Sequence, residues 1–288
     1  MKLGLPDTIL YTRYGPWWET FLTALEIPLV KPTRPLEDSL EAGARLMPDE
    51  APLMQLFVGR VMEIAQDAEA LLIPDLNPGA EPGAKGGSAD PWMVDLPSVL
   101  GQRFSLPPIY SVPTTINPAH TPAFAVRLGQ ALTGNAQRVR RILDRTQSAL
   151  RPTRIIDPIW QMAGKNTVGV TGDPALLEQG FLIAPALKAL EEAGFHPVLS
   201  TQLPRERTLE MGRRKQGKTT LETDLEFLGG AAMLEAKAQV KGLVVLTQPR
   251  STMQSEFAAG IVKRAHKPAL SLELESDYAS VLQPWMLE

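Results

Sequence analysis

Short apolar runs alternate along the chain with longer stretches in which apolar positions recur every three or four residues. In the first half the runs fall at residues 2–5, 28–30, 70–73 and 108–112, and in the second at residues 167–171, 197–199, 242–247 and 268–272. The run Ala70-Leu71-Leu72-Ile73 has no polar alternation, which suits a strand buried on both faces of a parallel sheet. The stretches between the runs have helical spacing. Trp17, Phe21 and Leu25 recur every four residues, Leu53, Leu56, Phe57, Met62 and Ile64 give a second stretch a broad apolar side, and Leu177, Phe181, Ala184 and Leu187 line a third. Pro185 should kink that third helix or mark its first turn, and Gly194 should stop it.

In both halves a shorter gap separates the first two runs and a longer one the second and third, which points to an internal duplication of one strand-helix order. Strand and helix alternating in this way imply right-handed crossovers. The expected fold is α/β, with two Rossmann-like lobes, each holding a mainly parallel sheet and facing a central cleft. The lobes are read as residues 1–120 and 166–288, with a helical linker region at 121–165. The linker carries Phe124, Leu128, Leu132, Val139, Ile142 and Leu143 on its apolar side, together with Arg138, Arg140, Arg141 and Arg145. An arginine run of this kind is ordinarily a solvated face, an acidic partner or phosphate being the other reading. Residues 77–90, NPGAEPGAKGGSAD, read as a loop after the third strand.

Composition narrows the function classes. The 288 residues are 44% hydrophobic, enough for one large core or two smaller ones. A formal charge of -3 from 29 basic and 32 acidic residues gives no global field that favours nucleic acid or a membrane surface. No stretch approaches the ~18 apolar residues of a membrane span, and the chain is read as cytoplasmic. Many of the 26 prolines sit at predicted strand ends and loops, where a fixed φ costs little. Cysteine is absent, so the chain itself cannot supply a thiolate for an iron-sulfur cluster, a zinc site or a disulfide.

Several strings carry candidate chemistry. GRRKQGKTT, residues 212–220, fits the phosphate-loop expression through Gly212, Gly217, Lys218 and Thr219. A working phosphate loop follows a buried strand and opens a helix, whereas the residues before this one, LPRERTLEM, are polar with helical spacing; a basic turn between helices is the other reading. His120, His196 and His266 are too scattered for a metal cluster. Tyr11, Tyr14, Trp17 and Trp18 form a dense aromatic group after the first strand, as core or as the wall of a ligand site. The turn Thr171-Gly172-Asp173-Pro174 occupies the corresponding place in the second half, and Arg250 and Ser251 follow the strand at 242–247. Ligands of such sheets gather at the carboxyl ends of the strands. Tyr14, Trp18, Thr171, Asp173, Arg250 and Ser251 are therefore the expected ligand-binding set. Gly217, Lys218 and Thr219 form the alternative phosphate site, and no catalytic residue is assigned.

The strings LGLPDTILYTRYGPWWETFLTAL, PDEAPLMQLFVGRV, ALLIPDL, DPWMVDLPSVL, VGVTGDPALLEQ and KPALSLELESD resemble, in the same order, the 2-hydroxyacyl-CoA dehydratase subunit family, and most closely its acyl-CoA dehydratase-activase-related proteins. The resemblance spans most of the chain through loose motifs. It implies two Rossmann-like domains facing a cleft. Where that family carries cysteines, this chain has Ala51, Asp90 and Ser251; Gly59 fits a family glycine, while Gln55 and Arg60 stand where lysine and histidine are usual. None of Ala51, Asp90 or Ser251 can do the work of a soft sulfur donor. The resemblance thus implies a fold and a CoA-like ligand without the cluster chemistry: a cysteine-less, non-redox binding or partner protein. Non-redox chemistry on an acyl-CoA or nucleotide, or a phosphate-loop NTPase, are the alternatives. The partners left open are a protein, a second copy of the chain, or a small molecule, with neither nucleic acid nor membrane expected.

Overall fold

The computed structural model describes residues 1–77, 91–116, 118–146, 165–215 and 221–286. Two compact units emerge. The described residues 1–48, 54–77, 91–116 and 118–146 belong to the first, and residues 49–53, 165–215 and 221–286 to the second. Each unit is built on one four-stranded, wholly parallel sheet, and the two sheets share one strand order: second, first, third, fourth. All eight strands fall on the apolar runs read from the sequence, and the duplication appears as repeated topology.

In the first unit, β1 (Leu3–Gly4) lies between β2 (Leu29–Val30) and β3 (Ala70–Asp75), with β4 (Ile109–Pro113) at the edge beside β3; the short helices α4 (Pro91–Val94) and α5 (Leu96–Arg103) come between β3 and β4 in the chain. Helix α1 (Tyr11–Ala24) packs Trp17, Trp18, Phe21 and Leu22 into the core. Trp17 stacks on Phe21 with ring centroids 5.2 Å apart. Residues 121–146 do not form a linker. They fold as α6 (Thr121–Thr133) and α7 (Ala136–Thr146), broken at Gly134, whose φ of 65° is the left-handed region that ends helices at low cost to glycine. Ala125, Leu128, Val139, Ile142 and Leu143 join the core around α1 and β1, which is why these helices count with the first unit. The loop read at 77–90 lies outside the described residues from 78 onward.

In the second unit, β5 (Thr167–Gly172) lies between β6 (His196–Leu199) and β7 (Val240–Thr247), and β8 (Ala269–Glu273) flanks β7. Strand β7 is buried almost throughout, as expected for a central parallel strand. After β5 come the short α8 (Pro174–Leu177) and α9 (Gly180–Glu192). The buried stripe of α9 is Leu182, Ile183, Ala186 and Leu190, one step from the Phe181, Ala184 and Leu187 stripe read from the sequence. The break between α8 and α9 resets the helical phase, and Pro185 sits inside α9 rather than at its start. His266 and Lys267 precede β8, where Glu235 accepts both of their backbone N–H groups. Among the described residues no helix is long and apolar enough to cross a membrane.

Both units contain the same close helix crossing. In the first, α2 (Leu36–Leu46) meets α3 (Pro52–Ile64): a Cβ added at Gly43 would stand 1.7 Å from the carbonyl oxygen of Gln55, and one at Gly59 would stand 1.9 Å from that of Ser39. In the second, α10 (Arg205–Lys215) meets α11 (Glu222–Glu235), with Gly212 at 2.0 Å from the Leu225 oxygen and Gly229 at 1.8 Å from that of Thr208. Only glycine lets two helix backbones approach so closely. The Gly229→Ala variant should therefore lose at least the ~1–3 kcal/mol typical of overpacking, because backbone must move. Gly180→Ala, where the new methyl meets nothing within 4 Å, should stay within about 1 kcal/mol of the parent. Urea unfolding of the two variants checks this; equal stabilities would contradict the crossing.

Candidate functional site

The carboxyl edge of the second sheet gathers most of the expected ligand-binding set. Strands β5 and β7 are the neighbours at which this strand order reverses direction, the place where open α/β sheets bind ligands. Thr171, in the last turns of β5, is fully buried and donates its hydroxyl to the carbonyl of Phe227 at 3.3 Å. It acts as a brace for α11 and offers no surface to a ligand. Asp173 is buried directly beyond β5. Its Oδ1 accepts the backbone N–H of Ala175 at 2.7 Å, which caps α8, and its Oδ2 accepts Nε2 of Gln254 at 3.1 Å. Asp173 thus joins the end of β5 to the first turn of α12 (Thr252–Arg264), the helix that follows β7.

Between β7 and α12 the chain runs through Gln248, Pro249, Arg250 and Ser251. The side chain of Gln248 accepts the backbone N–H of Leu53 at 3.2 Å, satisfying one of the orphan donors in the first turn of α3. Arg250 donates Nε to the carbonyl of Glu50 at 3.0 Å, and its Nη2 lies 4.0 Å from Glu275. Its φ is 63°, a region that costs an arginine and would cost glycine nothing. Ser251 sits at the N-cap of α12 and makes no side-chain capping bond. Arg250 is exposed and Ser251 nearly buried. Sequence reasoning missed Gln248 and Gln254. The second was legible as the last residue of Ser251-x-x-Gln254, a capping-box pattern whose glutamine is instead drawn to Asp173.

Tyr14 and Trp18 do not form a ligand wall. Both belong to the first unit, both have 0% exposure, and both pack in its core with Phe21. The helical period that put them near the strand end also turned their rings inward. The carboxyl edge of the first sheet instead presents Asp7 after β1 and Asp75 at the end of β3. Ile9 and Leu10 follow with φ of 54° and 56°, conformations a β-branched residue rarely holds. Arg60, nearly buried, lies 3.2 Å from Asp7 and donates to the Arg34 carbonyl at 2.6 Å. Gln55 donates to the Met47 carbonyl at 2.9 Å and so ends α2. Gln55 and Arg60 are thus both held by bonds to backbone carbonyls.

The phosphate-loop reading loses its first glycine. Gly212 is a buried helical residue of α10, pressed against α11, rather than part of a turn after a strand. Gly217, Lys218 and Thr219 lie outside the described residues. Among the described residues no group of three or more His, Asp or Glu side chains could hold a metal ion. No family model matches the chain, and no curated protein matches it.

Burial pushes the Asp75 carboxyl above its ordinary value; the Asn77 backbone N–H opposes this, and the Asp95 carboxylate adds to it. Because the folded state then binds its proton more tightly than the unfolded chain, the contribution of Asp75 to stability is complete at acid pH and is lost as pH rises through the folded value. Asp75→Asn keeps an acceptor for Asn77 and removes that loss. The variant should gain on the parent between acid and neutral pH, as read by urea unfolding at each pH. A constant difference would show that Asp75 does not titrate in this way.

Proposed function

We propose that the chain is a non-redox binding protein, similar in descent to the 2-hydroxyacyl-CoA dehydratase subunits, whose ligand site is the carboxyl edge of the second sheet around Asp173, Gln248, Arg250 and Ser251. One observation carries the reading: the bond from Arg250 to the Glu50 carbonyl ties together two segments 200 residues apart. Those segments hold Ala51 and Ser251, two of the three positions aligned with the family's cysteines. Their proximity supports the alignment, since a shared cluster site requires such residues to meet. Their chemistry supports loss of the cluster, since a methyl group and a hydroxyl stand where sulfur would be needed.

What remains at this edge is a binding apparatus. The exposed Arg250 guanidinium suits an anionic group, and a strained backbone kept by a residue other than glycine is the kind of outlier that collects at ligand sites. A CoA thioester is the ligand class this reading favours.

Titration calorimetry with CoA and short acyl-CoA thioesters tests it. Saturable one-to-one binding is expected, weakened at least tenfold in Arg250→Ala, with a melting temperature lowered by only a few degrees, since alanine tolerates the same φ about as well and only the exposed bond to the Glu50 carbonyl, worth about 0.5–1.5 kcal/mol, is lost. Absence of binding by every thioester would contradict the reading. So would stoichiometric iron and labile sulfide in the anaerobically reconstituted monomer.

A further inference from the structure

Helix α12 begins without the cap its sequence encodes. In a capping box the N-cap hydroxyl accepts the N–H of the third helical residue, whose own side chain reaches back to the N-cap N–H. Here Ser251 makes no such bond, and Gln254 is turned toward Asp173. The first intrahelical donor of α12 is Ser255, whose N–H meets the Ser251 carbonyl at 3.0 Å. The N–H groups of Thr252, Met253 and Gln254 have no acceptor among the described residues. Three parallel donors with the positive end of a 13-residue helix behind them favour an oxyanion.

The second observation is independent of the helix end. Gln254 is 3% exposed, and its Oε1 has no hydrogen-bond partner among the described residues. The orientation of the amide is fixed by chemistry: the atom 3.1 Å from the Asp173 carboxylate must be the Nε2 donor, so the free acceptor is Oε1. Since Nε2 is anchored at the end of β5, Oε1 also lies at the carboxyl edge, beside the first turn of α12. A buried acceptor without a donor costs about 1–3 kcal/mol, which an O–H or N–H of a ligand bound at the first turn of α12 would relieve. The exposed Arg250, Thr252 and Met253 mark the side of approach.

We propose that the first turn of α12 binds a protonated oxyanion, the phosphate of a monoester or inorganic phosphate. Its unprotonated oxygens accept from the N–H groups of Thr252, Met253 and Gln254, and its O–H donates to Gln254 Oε1. The assignment rests on the reading that this edge is the ligand site, and it names the group recognised there. The acceptor gives selectivity: sulfate and phosphate diesters carry no proton near neutral pH, and their oxygens would face Gln254 Oε1 lone pair to lone pair.

Calorimetry of the intact chain at pH 6.5 with inorganic phosphate, ethyl phosphate, dimethyl phosphate and sulfate decides the matter without any variant. Binding of inorganic phosphate or ethyl phosphate at least tenfold tighter than either sulfate or dimethyl phosphate is the expected result. Ethyl phosphate binding alone would identify an ester as the source, and binding of both would admit the free ion. Gln254→Met, similar in volume but without the acceptor, should erase the preference for the protonated anions while leaving the circular dichroism spectrum unchanged. Equal affinity for sulfate and phosphate, an adventitious ion only, would overturn the proposal, as would an undiminished preference in Gln254→Met. If thioesters bind to the parent but the phosphate preference is absent, this assignment fails and the ligand-binding reading survives. If neither is seen, both fail.

Discussion

Two helix backbones in direct contact fix the geometry of each unit. At Gly43 and Gly59 in the first, and at Gly212 and Gly229 in the second, a carbonyl of the partner helix occupies the space a side chain would need. Crossings of this kind leave no freedom in helix separation. The crossing helices connect the second and third strands of each sheet, so their separation sets where the third strand begins and, through it, where its carboxyl end is delivered. In the second unit that end leads into Gln248, Arg250 and α12. The candidate site is thus positioned by a steric constraint formed well before it in the chain.

The same device explains how two different sequences build one topology. Ser39 and Gly43 are four residues apart, as are Gln55 and Gly59, Thr208 and Gly212, and Leu225 and Gly229. In each pair of helices the residue one turn before one glycine lends its carbonyl to the glycine opposite. What diverged is the carboxyl edge. In the first unit it holds two aspartates, one paired with a nearly buried arginine, and a strained Ile9-Leu10 turn; in the second it holds an aspartate and two glutamines bound to backbone and to each other.

The strands were legible because each is a short, mainly apolar run, and β3, β5 and β7 are buried along nearly their whole length, as parallel strands covered on both faces must be. The helix phases were less so. Leu177 and Phe181 look like one stripe until the break before Gly180 separates them, and residues 121–146 look like a linker until α6 and α7 are seen to bury Leu128 and Val139 against α1. Position relative to a strand end identified Asp173, Arg250 and Ser251 correctly as carboxyl-edge residues. It could not say that Tyr14 and Trp18 face inward, because a helix that starts at a strand end has both an outer and an inner side. Nor could periodicity find Gln254, whose role depends on a hydrogen bond to a residue 81 positions away. The phosphate-loop expression records residue types and spacing but not the strand that must precede them, and the polar, helically spaced residues before Gly212 already told against it; they fold as α10.

If the carboxyl edge of the second sheet is the ligand site, hydrogen-deuterium exchange should show where ligand meets backbone. With a saturating CoA thioester, exchange in the segment 248–255 should slow markedly, with a smaller effect in 173–177 and none at the amino ends of β7 and β8. Protection confined to any other segment, or none while the thioester is bound, would contradict the account.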